Sequence, residues 1–356
     1  MGVYLFAIEY FPEFDQMNAS RHMAKLFLCI AIAWWVRGSI KAAKYLISIF
    51  CAGFFCSLIV HSDLHSWAIG IQGERVDFSY VNAQHTAVYF GLAFIFGVCW
   101  FYRGLAYRKS LAHLSLSLLA TLVSGAGIII TQTRAVWLAM MVMLVFISLV
   151  TAAWAIRTGQ MRLTKSKLGI MVVCILMFVG LGAIFFKPII AERIEAEKKI
   201  IISIFQGDIE DIPYSSVGNR IHTWHYALDK IEERPFTGWG PQSRKPLIDE
   251  GPFPGWVKER YGHFHNSYIE ITLAYGLLGM ALLSLLTFYI MKGVFSLSRH
   301  GHHYFYVGLL SSFIFFAVVN FFESYLIFRT GIYFYVIIGG VGMSFYLFGV
   351  NGEKKI

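Results

Sequence analysis

Nine apolar stretches recur along this chain of 356 residues, at about 24–36, 44–60, 84–101, 111–130, 135–156, 168–186, 267–290, 304–325 and 332–350. A helix needs roughly 17–25 mostly apolar residues to cross a bilayer, and all but the short first stretch reach that length. The pattern specifies an all-α fold, a polytopic transmembrane helix bundle of about nine spans. Composition agrees: 57% of residues are hydrophobic and only 14% charged, against about 25% charged in soluble domains. A soluble enzyme, a disordered chain and a disulfide-stapled secreted domain are all excluded. The five cysteines (Cys29, Cys51, Cys56, Cys99, Cys174) sit in apolar stretches, so neither a disulfide framework nor a thiolate metal site is expected.

Lys and Arg in short connections orient a membrane chain, because they collect on the cytoplasmic side. Fourteen flank one face, among them Arg37, Lys41, Lys44, Arg103, Arg108, Lys109, Lys292 and Arg299, whereas Arg21, Lys25, Arg75, Arg134 and Arg329 flank the other. The first face is expected to be cytoplasmic and the long segment 187–266 external. The 11 basic residues of that segment do not oppose this, since long loops translocate largely regardless of charge. The net charge of +9 is thereby explained by topology, and no nucleic-acid partner is expected. Nine spans with a cytoplasmic C-terminus put the N-terminus outside. Residues 2–12 read as the tail of a further apolar segment, so an odd number of helices is expected upstream. The organisation is N-terminal transmembrane helices at 1–186, a large external loop at 187–266 and C-terminal transmembrane helices at 267–356.

The loop mixes 12 acidic with 11 basic residues. Residues 220–233 place Ile221, Trp224, Leu228 and Ile231 at helical spacing, which predicts an amphipathic helix lying on the membrane surface. The runs FTGWGPQSRKP and EGPFPGW are rich in Gly and Pro and read as loops.

Residues able to carry chemistry gather at the external face. Arg134 stands in TQTRAVWLA, a short turn between two spans, where a guanidinium can hold a phosphate bidentately or simply anchor to lipid headgroups. Arg220, in SVGNRIHTW, opens the amphipathic helix, with Ser215, Ser216 and Asn219 as possible caps; a helix start favours anions, or is merely solvated. His263, His265 and Asn266 stand in GHFHNSYIE before a span. A histidine there can take a proton from a hydroxyl near neutral pH, or both are interfacial. A metal pair is disfavoured, because no third ligand is close in sequence, and neither metal nor another cofactor is expected. Glu270 lies one turn into that span, sharing a helix face with Asn266, and Glu323 near the outer end of the next; such carboxylates face a cavity or a partner, or snorkel. Arg75, in GERVDF, can add to a phosphate site. His222 and His225 are expected to be solvent-exposed, and His300, His302 and His303 to form a headgroup-level cytoplasmic turn.

Together these pieces resemble the O-antigen ligase family of Gram-negative bacteria. The likeness rests on TQTRA, FFKPIIAERIEA, SVGNRIHTWHYALDKIEERPFTGWG and HFHNSYIEITLAYGLLG, the last fitting a pattern of His265, Asn266, nine residues, then Gly276 and Gly279. It covers about residues 84–350. The resemblance implies about twelve spans around a periplasmic cavity in the bacterial inner membrane. It implies transfer of O-antigen from undecaprenyl diphosphate, the donor, to lipid A–core, the acceptor, in lipopolysaccharide biosynthesis, without a metal. His265 is then the base, Arg134 and Arg220 the diphosphate clamp, and His263, Asn266, Arg75 and Glu270 substrate-binding residues. A single displacement on this geometry inverts the anomeric centre. An O-antigen polymerase or a protein O-oligosaccharyltransferase shares the architecture and stays open. A transporter or flippase is the more distant alternative, though no internal repeat marks one.

Overall fold

The computed structural model describes residues 23–157, 200, 203 and 211–351. The expected span 168–186, Cys174, the stretch FFKPIIAERIEA, Asp208 and Glu210 lie outside them. The described α-helices are α1 (Leu28–Val36), α2 (Ile40–His61), α3 (Leu64–Ile71), α4 (Ala83–Ala106), α5 (Leu111–Ile130), α6 (Arg134–Arg157), α7 (Gly218–Glu233), α8 (Arg244–Glu250), α9 (Gly255–Arg260), α10 (Ser267–Ser296), α11 (His303–Val319) and α12 (Arg329–Phe348). No β-strand occurs among the described residues. Every expected span that falls within them is helical over most of its length.

Five of these helices, α2, α4, α5, α10 and α12, are long and apolar enough to cross a membrane, and Met23–Val36, Arg134–Leu149 and His303–Val319 are shorter apolar helices. The chain is a multi-pass membrane protein. Helices suit this setting because every backbone group finds its partner within the segment. Their starts are set by side-chain caps: Ser39 accepts from the Ala42 amide at 3.2 Å, Asn82 from Gln84 and His85 at 2.8 and 3.1 Å, and Asn266 from Tyr268 and Ile269 at 3.0 and 3.2 Å. Such caps satisfy donors that a helix start leaves open.

The main core joins all the long helices. Helix α12 packs on both α1 and α10, and α4 on α5 and α11. The α10–α12 approach is so close that a Cβ at Gly293 would lie 2.0 Å from the Gly342 carbonyl oxygen. In lipid, where burial of apolar surface drives little association, small residues gain van der Waals contact this way.

Three expectations need correction. The span at 304–325 ends early: α11 stops at Val319, and 320–328 form a turn with a short 3-10 segment, Tyr325–Ile327. Glu323 therefore lies in a loop. Helix α7 forms, but its apolar side is covered by protein. Ala227 is fully buried, and Trp224 and Ile231 pack with Leu247, Phe253, Val257, Phe264 and Leu273 in a second core, leaving Leu228 outside it at 52% exposure. His222, expected in solvent, bonds the Ile212 carbonyl through Nε2 at 2.8 Å and stacks on Tyr214; His225 is exposed as expected.

The external segment is fastened to α10 by backbone. Gly276 breaks that helix, with φ 65°, a region L side chains rarely adopt. The loop 235–240 fills the break. The Leu277 and Leu278 amides donate to the Pro235 and Phe236 carbonyls at 2.7 and 3.3 Å, and the Trp239 and Gly240 amides to Leu273 and Ala274 at 2.8 and 3.0 Å. A Cβ at Gly276 would lie 2.2 Å from the Phe236 carbonyl, so the glycine serves both conformation and contact.

Candidate active site

Helices α4, α6, α10 and α12 all begin at one end of the bundle, and α11 ends there. The turns between them meet around Glu323, whose side chain is 1% exposed. Its carboxylate accepts from His263 Nε2 at 3.0 Å, His265 Nδ1 at 3.2 Å, Gln84 Nε2 at 3.0 Å and its neighbour's amide, Ser324 N, at 2.9 Å. Four donors fill the lone-pair directions of an ionised carboxylate. Because a carboxylate only accepts, each histidine must present N–H to it, which leaves Nε2 of a neutral His265 as an acceptor.

The electrostatics fit that assignment. Burial works to raise the Glu323 carboxyl, but hydrogen bonds from both histidines outweigh it and hold the group far below the usual carboxylate range. Burial lowers His265, and the hydrogen bond and charge of Glu323 offset it only in part, so the imidazole stays below its ordinary value and is neutral at pH 7. His265 has φ 53°, uncommon outside glycine and a form of strain that collects at functional sites. Its ring meets Tyr261 edge-on at 5.5 Å and lies 4.0 Å from His263.

Arg220 projects from the first turn of α7. It donates through Nη1 to the Ser216 carbonyl at 3.0 Å and through Nη2 to the Phe322 carbonyl at 3.5 Å. Its Nε is buried with no hydrogen-bond partner. Of the proposed caps, Ser215 serves, accepting from Gly218 N at 3.1 Å. Burial lowers the Arg220 guanidinium, Glu323 raises it and Arg134 lowers it again, so the two arginines sense each other across the site. Arg134 opens α6 directly after the turn 131–133. Arg75 donates through Nε to the Thr131 carbonyl of that turn at 3.2 Å, and its charge reaches Tyr325. The structure thus gathers His263, His265, Arg220 and Arg134 in one place, with Arg75 at its edge.

Two sequence-predicted site residues have structural duties instead. Asn266 is buried and its Oδ1 caps α10. Glu270 is 1% exposed: Oε1 accepts from the Phe264 amide at 2.5 Å and Ser324 Oγ at 3.2 Å, and Oε2 pairs with Arg244 Nε at 3.4 Å. A carboxylate so enclosed shapes the histidine turn rather than touching a substrate.

Sequence reading missed Gln84 and His85. His85 is buried, contacts Thr330 Oγ1 through Nδ1 and packs between the Tyr325 and Phe328 rings; its Nε2 has no partner. The available signal was polar residues heading an otherwise apolar span. His263, His265 and Glu323 also bring ligand atoms within 4.8 Å of one another, a set that could take a metal ion. The third ligand absent from the local sequence is thus supplied by the fold, though all four acceptor directions of its carboxylate are already in use.

Residues 118–284 match the family model described as O-Antigen ligase. The matched stretch is a little under half of the chain. It contains Arg134, Arg220, His263, His265, Asn266, Glu270 and Gly276; Arg75, Gln84 and Glu323 lie outside it. A Rickettsia conorii protein described as a candidate polysaccharide ligase is 25% identical over 144 residues, covering 36% of this chain and 33% of the relative. The chain thus matches about a third of that relative's length.

Proposed function

We propose that this protein is a membrane glycosyltransferase that moves a glycan from a polyprenyl diphosphate, undecaprenyl diphosphate in the ligase reading, to a hydroxyl of a lipid A–core acceptor. His265 Nε2 takes the acceptor proton as the hydroxyl oxygen attacks the anomeric carbon, while the bond to the diphosphate oxygen breaks. Glu323 holds the ring through Nδ1–H and stabilises the imidazolium that forms. Arg220 and Arg134 receive the growing charge on the leaving diphosphate, fixed in a sheltered site where such charges act strongly. One displacement of this kind inverts the anomeric centre. The site opens on the periplasmic face of the inner membrane, following the distribution of Lys and Arg. The guanidiniums supply the positive charge, so no metal is needed.

The observation that carries this reading is the His265–Glu323 pair beside an arginine whose buried Nε lacks a protein partner. The test is reconstitution with lipid-linked O-antigen and purified lipid A–core. Joined product in the wild type and none in His265→Ala supports a ligase. Elongation of the lipid-linked glycan without transfer to core, or transfer to protein, reassigns the acceptor to a polymerase or a protein O-oligosaccharyltransferase. Glycan movement across vesicles without any covalent product overturns the enzyme reading in favour of a flippase.

A further inference from the structure

Gln84 stands at the head of α4, outside the family match, and reaches the carboxylate that holds His265. Its Nε2 donates to Glu323 Oε2 at 3.0 Å, the oxygen that also accepts from His265 Nδ1 at 3.2 Å. Ser324 N and His263 Nε2 donate to Oε1 at 2.9 and 3.0 Å. Among the described residues, only Gln84 therefore holds Oε2 besides His265. The end of a glutamate side chain turns easily about its last bond, so a donor on each oxygen is what fixes the carboxylate plane that His265 meets.

The backbone of Gln84 is itself locked. Its amide donates to Asn82 Oδ1 at 2.8 Å, and its carbonyl accepts from the Tyr325 hydroxyl at 3.0 Å. Tyr325 is fully buried and lies two residues beyond Glu323. Farther along α4, the Tyr89 hydroxyl donates to the Thr330 carbonyl at 3.1 Å. Fastening the Glu323 loop to α4 therefore does not require the Gln84 side chain, which is directed at the carboxylate instead.

We infer that Gln84 is a positioning residue of the proposed site. It fixes the plane of the Glu323 carboxylate and, by drawing charge from Oε2, sets how strongly that group stabilises the His265 imidazolium. The inference rests on the reading of His265 as the base. Removing the neutral donor leaves more charge on Oε2, and that charge favours imidazolium over imidazole. The acid limb of the activity should then move to higher pH. The other titratable and charged groups around the pair are His263, Glu270 on the first turn of α10, Tyr261, His85, Tyr325, Arg220 and Arg134. All are the same in the Gln84 variants, so a shift between those variants reads residue 84.

The test is a pH–rate profile of transfer by the reconstituted full chain, paired with an NMR titration of its ¹³C-labelled histidines. The His265 signal is assigned by its loss in His265→Gln. Gln84→Met keeps the length and removes the donor. It should lower kcat on the order of 10- to 100-fold and leave donor KM near wild type, because the guanidiniums are unchanged. It should raise both the acid limb and the His265 midpoint by roughly half a pH unit. Gln84→Lys keeps a donor and adds a positive charge, so both should move down. Tyr325→Phe cuts the backbone tie but leaves the amide on Glu323; it should lower the melting temperature with both midpoints in place. Gln84→Asn falls short of Glu323 and should shift as Gln84→Met does, which keeps the test decisive should the methionine variant not fold. Unmoved midpoints in the folded Met and Asn variants, or shifts of one sign in the Met and Lys variants, overturn the proposal and leave Gln84 a fastening role. A His265 midpoint that shifts as expected while the acid limb stays put supports the positioning and overturns His265 as the base.

Discussion

Two buried carboxylates sit on adjoining turns at the same end of the bundle, equally shielded from water, and they do opposite things. Glu323 spends its oxygens on two histidines, a glutamine and one amide. Glu270 spends its oxygens on a backbone amide, a serine and Arg244. The serine is Ser324, next to Glu323, so the two sites share a wall. The partners of Glu323 include groups that exchange protons near neutral pH; those of Glu270 do not. Burial alone says that a charge must be compensated. What compensates it says whether the site is reactive or architectural.

The comparison breaks most sharply at His265. His265→Ala should lower transfer about 10²–10⁴-fold, the usual weight of one positioned base, with the melting temperature little changed. Near-normal ligation would remove the residue from the mechanism. Glu323→Gln should cost less than that and leave a distinct mark. Wild-type activity should fall as pH drops through the depressed His265 value, below the ordinary ~6.5. Since Glu323 raises His265, its neutral replacement should move this acid limb to still lower pH. An unmoved limb would mean that Glu323 does not act through the histidine.

The arginines sharpen the picture next. Arg134→Lys and Arg220→Lys keep charge but lose the bidentate fork, and each should reduce transfer with a larger effect on donor KM than His265→Ala shows. Full activity in both would leave only anchoring. Glu270→Ala should act on stability instead, costing about 1–3 kcal/mol by stranding the buried Phe264 amide. Differential scanning fluorimetry should register the loss, while the folded fraction keeps the wild-type pH profile. The smallest effect is expected from chelation. EDTA, and Asp208→Ala with Asp211→Ala, should leave transfer unchanged, because the guanidiniums already supply the charge. Activity lost in chelator and restored by Mg²⁺ or Mn²⁺ would recast His263, His265 and Glu323 as ligands.

Much of the bundle was legible because a span is a local property: each helix announces itself in some twenty consecutive apolar residues. The arginines and histidines were legible because polar residues at the head of a span are expensive and so conspicuous. What was not legible is pairing at long range. Glu323 meets its histidines across 58 and 60 positions and Gln84 across 239, and no periodicity encodes that. The amphipathic pattern of α7 was read correctly as a helix and wrongly as a membrane-facing one. A stripe of apolar residues says that something covers it; Phe264 and Val257, far along the chain, turned out to be the cover.

The break at Gly276 bears on how such proteins could be cut and recombined. The loop 235–240 completes its backbone pairing only against residues 273–278 of α10, and the histidine turn leads directly into the start of that helix. The external segment is thus not a cassette that can be expressed as a soluble fragment or transplanted at its sequence boundaries. A chimaera exchanging it with a relative's loop would have to carry the chain through Leu278, four carbonyl partners included, and a junction placed at residue 266 would split one unit of structure into two incompatible halves.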